Sequence, residues 1–145
     1  MDELDAQIIA MLRKDGRASN AGIARSVGVS EGTVRRRLKR LVQEKFIQVV
    51  AVLDPGKMGL TSEALIGIQV DPDKIDQVAD DLARLEEVTW VAVTTGSYDI
   101  FAWTALPSAE ELGIFLRTKA GTIPGVRRTE TFVTLAVKKR EHGLT

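Results

Sequence analysis

Residues 30–45 gather the side chains best suited to ionic chemistry. Arg35, Arg36, Arg37, Lys39, Arg40 and Lys45 are basic, and Glu31 and Glu44 are acidic. Such a cluster suits the binding of a polyanion better than the making of bonds. Catalysis needs an acid–base pair, an activated nucleophile or a metal, and the materials for these are scarce. The chain has no cysteine, which removes disulfides and thiolate metal sites and fits a reducing, cytoplasmic setting. Its one histidine, His142, stands three residues from the end. No Gly-rich phosphate loop or metal-ligand spacing occurs, so neither a cofactor nor a metal is expected.

The periodicity of the same stretch predicts an amphipathic helix. Val34, Leu38, Leu41 and Val42 fall at i, i+4, i+7 and i+8, one face of a 3.6-residue repeat. Gly32, Thr33, Arg36, Lys39 and Arg40 point away from that face, and Ser30 is placed to cap the first turn. Taken alone, this is either a solvated basic helix or one that lies along a phosphate backbone.

The preceding elements favour the second reading. Leu4, Ile8, Ile9, Met11 and Leu12 mark a first helix, with Asp2, Glu3 and Asp5 at its start and Arg13 and Lys14 at its end, as the helix dipole favours. Asp15-Gly16-Arg17 breaks the pattern, with Gly16 expected as a left-handed C-cap. Ser19 or Asn20 caps a short second helix through Ile23, Ala24 and Val27, which Gly28 ends. Two helices joined by a short Gly-containing turn form a helix-turn-helix, whose second helix enters the DNA major groove. Its N-terminal part reaches base edges, which nominates Ser30, Glu31, Thr33 and Arg36. Arg36 suits a bidentate contact to guanine, and Gly32 allows close approach. Arg35, Lys39 and Arg40 are placed for phosphates. For Arg37, a phosphate contact and an internal ion pair stay equally open. The β-branched run at residues 48–53 predicts a strand, and residues 54–60 are rich in turn formers.

The second half reads as strand, helix, strand, strand, helix, strand. Residues 63–71 form a buried strand. Pro72 opens a helix through Ile75, Val78, Ala79, Leu82 and Leu85. Strands follow at 88–95 and 98–106, joined at Gly96-Ser97 by a two-residue hairpin turn. Ser108 caps a second helix, and a long strand covers 126–138. This is the ferredoxin-like βαββαβ pattern, with both helices on one face of an antiparallel sheet. Leu65 and Gln69 lie opposite Ile66, Ile68 and Val70. The second face is therefore apolar too and predicts a partner, most simply the sheet of a second copy. Trp90 and Trp103 are expected in the core or at that interface.

The fold class is thus α+β: a (winged) helix-turn-helix at residues 1–46, a strand and linker at 47–61, and a ferredoxin-like domain at 62–145. The net charge is zero, but residues 1–60 carry 11 Lys+Arg against 7 Asp+Glu, and residues 61–145 carry 9 against 13. A charge split between halves suggests a nucleic-acid module joined to something else. No run approaches the length of a membrane span and no leader resembles a signal peptide.

Leu4-Asp5, Asp15-Gly16-Arg17, Ile23-Ala24, Val27-Gly28-Val29-Ser30, Val34, Arg37, Leu41 and Ile47 resemble, in order and spacing, the Lrp/AsnC (feast/famine) transcriptional regulators of bacteria and archaea. A departure is Phe46-Ile47, where the family often carries a glycine after the third helix; with Phe46 in the place of that C-cap glycine, the helix end is expected to be capped differently. Thr95-Gly96-Ser97-Tyr98-Asp99 resembles the family's Gly-x-Tyr-Asp loop. The resemblance implies an amino-acid effector pocket at Gly96, Ser97, Tyr98 and Asp99, with Thr129 and Thr131 near the opposite wall. Amides of Gly96 and Ser97 suit a carboxylate and Asp99 an ammonium; a tight turn with Asp99 satisfying local amides explains the same residues. Implied partners are double-stranded DNA, an amino acid, and a second copy in a homodimer that assembles further to a tetramer or octamer. Sirohaem decarboxylases share both domains, but the pocket region here has no histidine to offer a tetrapyrrole. A ligand-binding oligomer without DNA binding is the remaining alternative, and the intact basic helix face speaks against it.

Overall fold

The structure is a computed structural model that describes residues 1–140; His142 lies outside them. The chain divides into two compact units, Met1–Val52 and the residues from Leu53 onward.

The first unit contains α1 (Glu3–Lys14), α2 (Asn20–Val27) and α3 (Glu31–Gln43). Asp2 caps α1 in a reciprocal box with Asp5, each carboxylate accepting from the other's backbone N–H. Ser19 caps α2 and Ser30 caps α3. Ile8, Ile23, Ala24, Val34 and Leu41 are buried together where the helices meet. Gly28 ends α2 with φ +77°, a conformation glycine enters without steric cost.

Three expectations for this unit are corrected. Gly16 is not left-handed; Asp15 closes α1 in extended geometry, and its carboxylate accepts from the Arg17 N–H at 2.9 Å. Val42 is exposed, so the apolar face of α3 is narrower than its periodicity implies. The third concerns the end of α3. The left-handed residue there is Lys45, with φ 60°, and not Phe46. The Phe46 N–H donates to the Leu41 carbonyl at 2.9 Å and the Lys45 N–H to that of Val42 at 3.1 Å. These are the two bonds of a Schellman motif, completed here by a residue that carries a Cβ.

Residues 48–53 form no strand within the chain. Val49, Val50, Val52 and Leu53 are exposed, and their β propensity finds no neighbouring backbone to pair with. The first unit of the single chain is three helices and an irregular tail, without a wing.

The second unit contains β1 (Ser62–Val70), α4 (Ile75–Ala83), β2 (Val88–Val93), β3 (Ile100–Leu106), α5 (Ala109–Thr118) and β4 (Val126–Val133). A 3₁₀ turn, Pro72–Lys74, leads into α4. The sheet order is β2-β3-β1-β4, and every pair is antiparallel. Ala64, Ile66, Ile68 and Val70 on β1 are buried with Ile100 and Ala102 on β3, Val78 and Leu82 on α4, and Leu112 and Phe115 on α5. The other face carries neither α4 nor α5: Leu65 is flanked by Trp103 and Phe132 in the register, and Trp90 pairs with Trp103. Trp90 is 52% exposed and Phe132 43%. The Trp103 indole N–H donates to Glu63 at 3.3 Å.

The hairpin expected at Gly96-Ser97 is wider than a two-residue turn. β2 ends at Val93 and β3 begins at Ile100, and the Thr94 N–H donates to the Asp99 carbonyl at 2.9 Å. β4 stops at Val133 rather than near residue 138; its last ladder pair is with Ala64, the Thr134 N–H adds one bond to the Glu63 carbonyl at 2.9 Å, and β1 itself begins at Ser62. Leu135, one step beyond the Thr134-to-Glu63 backbone bond, is 98% exposed.

A left-handed non-glycine residue costs about 1–2 kcal/mol, and glycine adds about 0.5–1 kcal/mol of chain entropy to be lost on folding. Lys45→Gly is therefore expected to raise the unfolding free energy by about 0.5–1 kcal/mol. Urea denaturation is the measurement, and a decrease would show that the Lys45 side chain holds the helix end.

Candidate functional site

Five of the six basic residues of residues 30–45 lie on α3 and separate into two groups. Arg35, Arg36 and Lys39 are exposed. Arg35 pairs with Glu31 across one turn at 2.9 Å, both ends solvated, so the pair is worth little and exchanges readily for another anion. Arg36 donates to the Thr33 hydroxyl at 3.3 Å, which in turn shares a 2.8 Å hydrogen bond with the Ser30 hydroxyl. Ser30 also accepts from the Thr33 N–H as N-cap. A Cβ at Gly32 would meet nothing within 4 Å. Glycine is not required there by anything within the chain, and the surface over the first turn of α3 is open.

Arg37 and Arg40 face the other way, toward α1. Arg40 donates to Asp5 Oδ2 at 2.8 Å, and Arg37 to Asp5 Oδ1 at 3.3 Å and to Asp2. Asp5 is fully buried. Arg40, expected at a phosphate, is engaged in this internal network, and Arg37 takes the ion-pair alternative. The Arg37 hydrogen bond, helped by the Asp5 N–H, holds the Asp2 carboxyl at about 2, against an ordinary 3.8, and raises Arg37 in return. Sequence reasoning placed Asp5 only in the helix dipole. The available signal was its position on the Ile8–Leu12 side of α1, an acid on an apolar stripe.

In the second unit, the loop at 95–99 is held from within. Gly96 has φ +100°, which favours glycine. The Ser97 carbonyl accepts from Gln69 Nε2 at 3.0 Å. Asp99 Oδ2 accepts from the Val70 N–H at 2.8 Å, and the Asp99 N–H donates to the Ile68 carbonyl at 2.9 Å. The amide that Asp99 satisfies belongs to β1, 29 residues away, and not to its own turn, and its second carboxylate oxygen is left over from that bond. The Tyr98 ring lies on the helix-free face over Gly67, where a Cβ would sit 2.8 Å from the ring. It meets Phe101 and Phe132 edge-on at centroid distances of 5.6 and 6.3 Å.

The structure does not bring Thr129 and Thr131 to Tyr98. They pair with Ile68 and Ile66, whose side chains are buried under the helices, and directly opposed strand residues share a face. The β4 residues on the Tyr98 face are Arg128, opposite Gln69, Glu130, opposite Gly67, and Phe132, opposite Leu65. Gly67 and Phe132 had not been singled out. An isolated glycine inside an apolar strand is the legible sign of such a close approach. Among the described residues, no group of His, Asp or Glu is placed to hold a metal, and no helix is long and apolar enough to cross a membrane.

A capped tri-helical unit with an outward basic face, followed by a βαββαβ sheet, defines a helix-turn-helix regulator with an appended sensing or assembly domain. Comparison with known proteins narrows the class. The family model of the AsnC-type helix-turn-helix domain matches residues 1–42, and that of the Lrp/AsnC ligand binding domain matches residues 63–144. The chain is 41% identical over 140 residues to an uncharacterized HTH-type transcriptional regulator of Pyrococcus furiosus, covering 96% of this chain and 95% of that one. It is 36% identical over 140 residues to the HTH-type transcriptional regulator FL11 of Pyrococcus abyssi, covering 96% and 92%. The solved structure of AsnC from E. coli superposes with a TM-score of 0.89 at 28% identity, over 98% of this chain and 97% of that one. A feast or famine regulatory protein from M. tuberculosis, solved in complex with L-methionine, gives 0.90 at 25% identity over 99% and 97%. The chain belongs to the Lrp/AsnC family and is a DNA-binding transcriptional regulator.

The Asp2–Arg37 pair has a pH signature. Asp2 titrates lower when folded than when unfolded, so its contribution is present above about pH 4 and is lost as pH falls through about 2. Arg37→Met is expected to raise the Asp2 titration, followed by NMR of its carboxyl carbon, toward 3.8 but short of it, because the Asp5 N–H remains. The variant's thermal stability should also fall less than the wild type's between those two pH values.

Proposed function

We propose that this regulator reads DNA with the first turns of α3 and binds an amino acid beside the 95–99 loop, where copies of the chain meet. The observation that carries the DNA half is the open surface over Gly32, flanked by exposed Arg35, Arg36 and Lys39. Thr33, Glu31 and Arg36 are the base-edge candidates, Ser30 caps the helix that presents them, and Arg35 and Lys39 supply phosphate contacts. Two such helices in a dimer would address half-sites one helical turn, or a multiple of it, apart.

The effector half draws support from the Tyr98–Phe101–Phe132 cluster on a helix-free apolar sheet face and from the L-methionine complex of the M. tuberculosis relative. The Gly96 and Ser97 amides would take the ligand carboxylate and the second Asp99 oxygen its ammonium. Glu130 and Phe132 form the adjoining wall; Thr129 and Thr131 have no part in it within one chain. The same sheet face, with Trp90 half exposed, suits a homodimer of stacked sheets that builds to a tetramer or octamer. A ligand changes DNA binding only if the assembly states bind it differently. The regulator names of the relatives support a non-enzymatic role.

Gly32→Ala is expected to leave the melting temperature unchanged or slightly raised, since the added methyl meets nothing in the chain and glycine is a poorer helix former. It should weaken DNA binding by about 10-fold, roughly 1.4 kcal/mol. Arg36→Ala should lose about 1–3 kcal/mol of base discrimination. Fluorescence anisotropy with selected duplexes measures both, and two unchanged affinities would remove α3 as the reader.

A thermal-shift screen with the standard amino acids tests the effector. A ligand at about 100 times its Kd adds about 2.7 kcal/mol to the native state, and Asp99→Ala should abolish the response. A shift that survives in Asp99→Ala would place the ligand elsewhere.

A further inference from the structure

Asp5 is fully buried, and its part in the capping box of α1 calls for an acceptor oxygen but not for a charge. Its Oδ2 accepts from the Asp2 N–H at 3.1 Å and from Arg40 at 2.8 Å, and its Oδ1 from Arg37 at 3.3 Å. The arginines lie 32 and 35 residues away in sequence and one turn apart on α3. Asp2 and Asp5 together neutralise both guanidiniums. Yet Arg40 is still 47% exposed and Arg37 31%, so each cation sits at the surface of the reading helix while held by an internal acid. Free cations there would add to the sequence-independent attraction for any duplex, because each neutralised phosphate releases counterions. Contacts of that kind carry no sequence information.

We infer that Asp5 is a specificity-determining positioning residue: it withholds Arg37 and Arg40 from the DNA backbone and so lowers non-specific affinity relative to base-directed binding by the first turn of α3. This rests on the reading of α3 as the DNA-facing helix. Affinity then draws on Arg35, Arg36 and Lys39, which lie beside the base-reading residues, and the C-terminal part of the helix is electrostatically muted. The two arginines act as struts that fix α3 against α1.

The test is the salt dependence of full-length protein binding to a random-sequence duplex, followed by anisotropy. Each added phosphate contact steepens the slope of log K against log salt by about 0.9. Asp5→Asn keeps the shape and the backbone acceptor but removes the charge. It is expected to steepen the slope by about 0.9 to 1.8. A merely structural loss would weaken binding without steepening it. Arg40→Gln guards against misfolding of the Asp5 variant. In the wild-type background it should leave the slope unchanged, and added to Asp5→Asn it should recover about 0.9 of the increase. An unchanged slope in folded Asp5→Asn, or a slope reduced by about 0.9 in Arg40→Gln alone, overturns the proposal. Arg36→Ala separates the two levels. If it too leaves duplex binding unaltered, α3 is not the reader and both readings fall; if it weakens binding while Asp5→Asn leaves the slope flat, only the role of Asp5 falls.

Discussion

A carboxylate without solvent must be matched by opposite charge or take up a proton. Asp5 is matched by two guanidiniums from a helix more than thirty residues away, and the placement of α3 follows from that requirement. The buried core of the first unit is small, five side chains of which one is an alanine. Apolar burial is largely non-directional and leaves the roll of α3 against α1 loosely specified. A bifurcated ion pair is directional. Removing a partner would leave the buried Asp5 charge less compensated, so the arrangement that keeps Asp5 satisfied is held. It turns Val34 and Leu41 inward and leaves Gly32, Arg35, Arg36 and Lys39 outward in a single stroke.

The second unit is governed by a different constraint, the two-residue alternation of a strand. β1 places Ala64, Ile66, Ile68 and Val70 against the helices, and this commits Leu65, Gly67 and Gln69 to the side without them. Gly67 then makes room for the Tyr98 ring, and Phe101 and Phe132 brace it. The 95–99 loop is thereby tied to the helix-free face, while Gln69 and Val70 hold its backbone and its acid from β1. Anything that covers that face touches the loop.

The expectations that failed share a cause. Gly16, the two-residue hairpin and the strands at 48–53 and 134–138 were each inferred from local residue preference. Each outcome was decided by what lay across from the segment. Asp15 bonded to Arg17, Asp99 bonded to β1, and the β-branched runs had no partner backbone. The caps at Ser19, Ser30 and Ser108 and the αL glycine at Gly28 were legible because their partners lie within four residues along the chain.

From the sequence alone came the helix-turn-helix, the βαββαβ order, the apolar faces and the basic character of residues 30–45, since periodicity and capping are properties of neighbouring residues. Tertiary structure alone decided which of those basic residues are available. Arg36 and Arg40 are equivalent on a helical projection, both turned from the apolar stripe. Only the packing of α1, with its buried acid, makes one an open donor and the other a strut. Likewise Thr131 and Phe132 are adjacent in the chain, and only the pairing of β4 with β1 sends one beneath the helices and the other toward Tyr98. Register and long-range charge pairing are set by residues distant in sequence, which is why no local pattern records them.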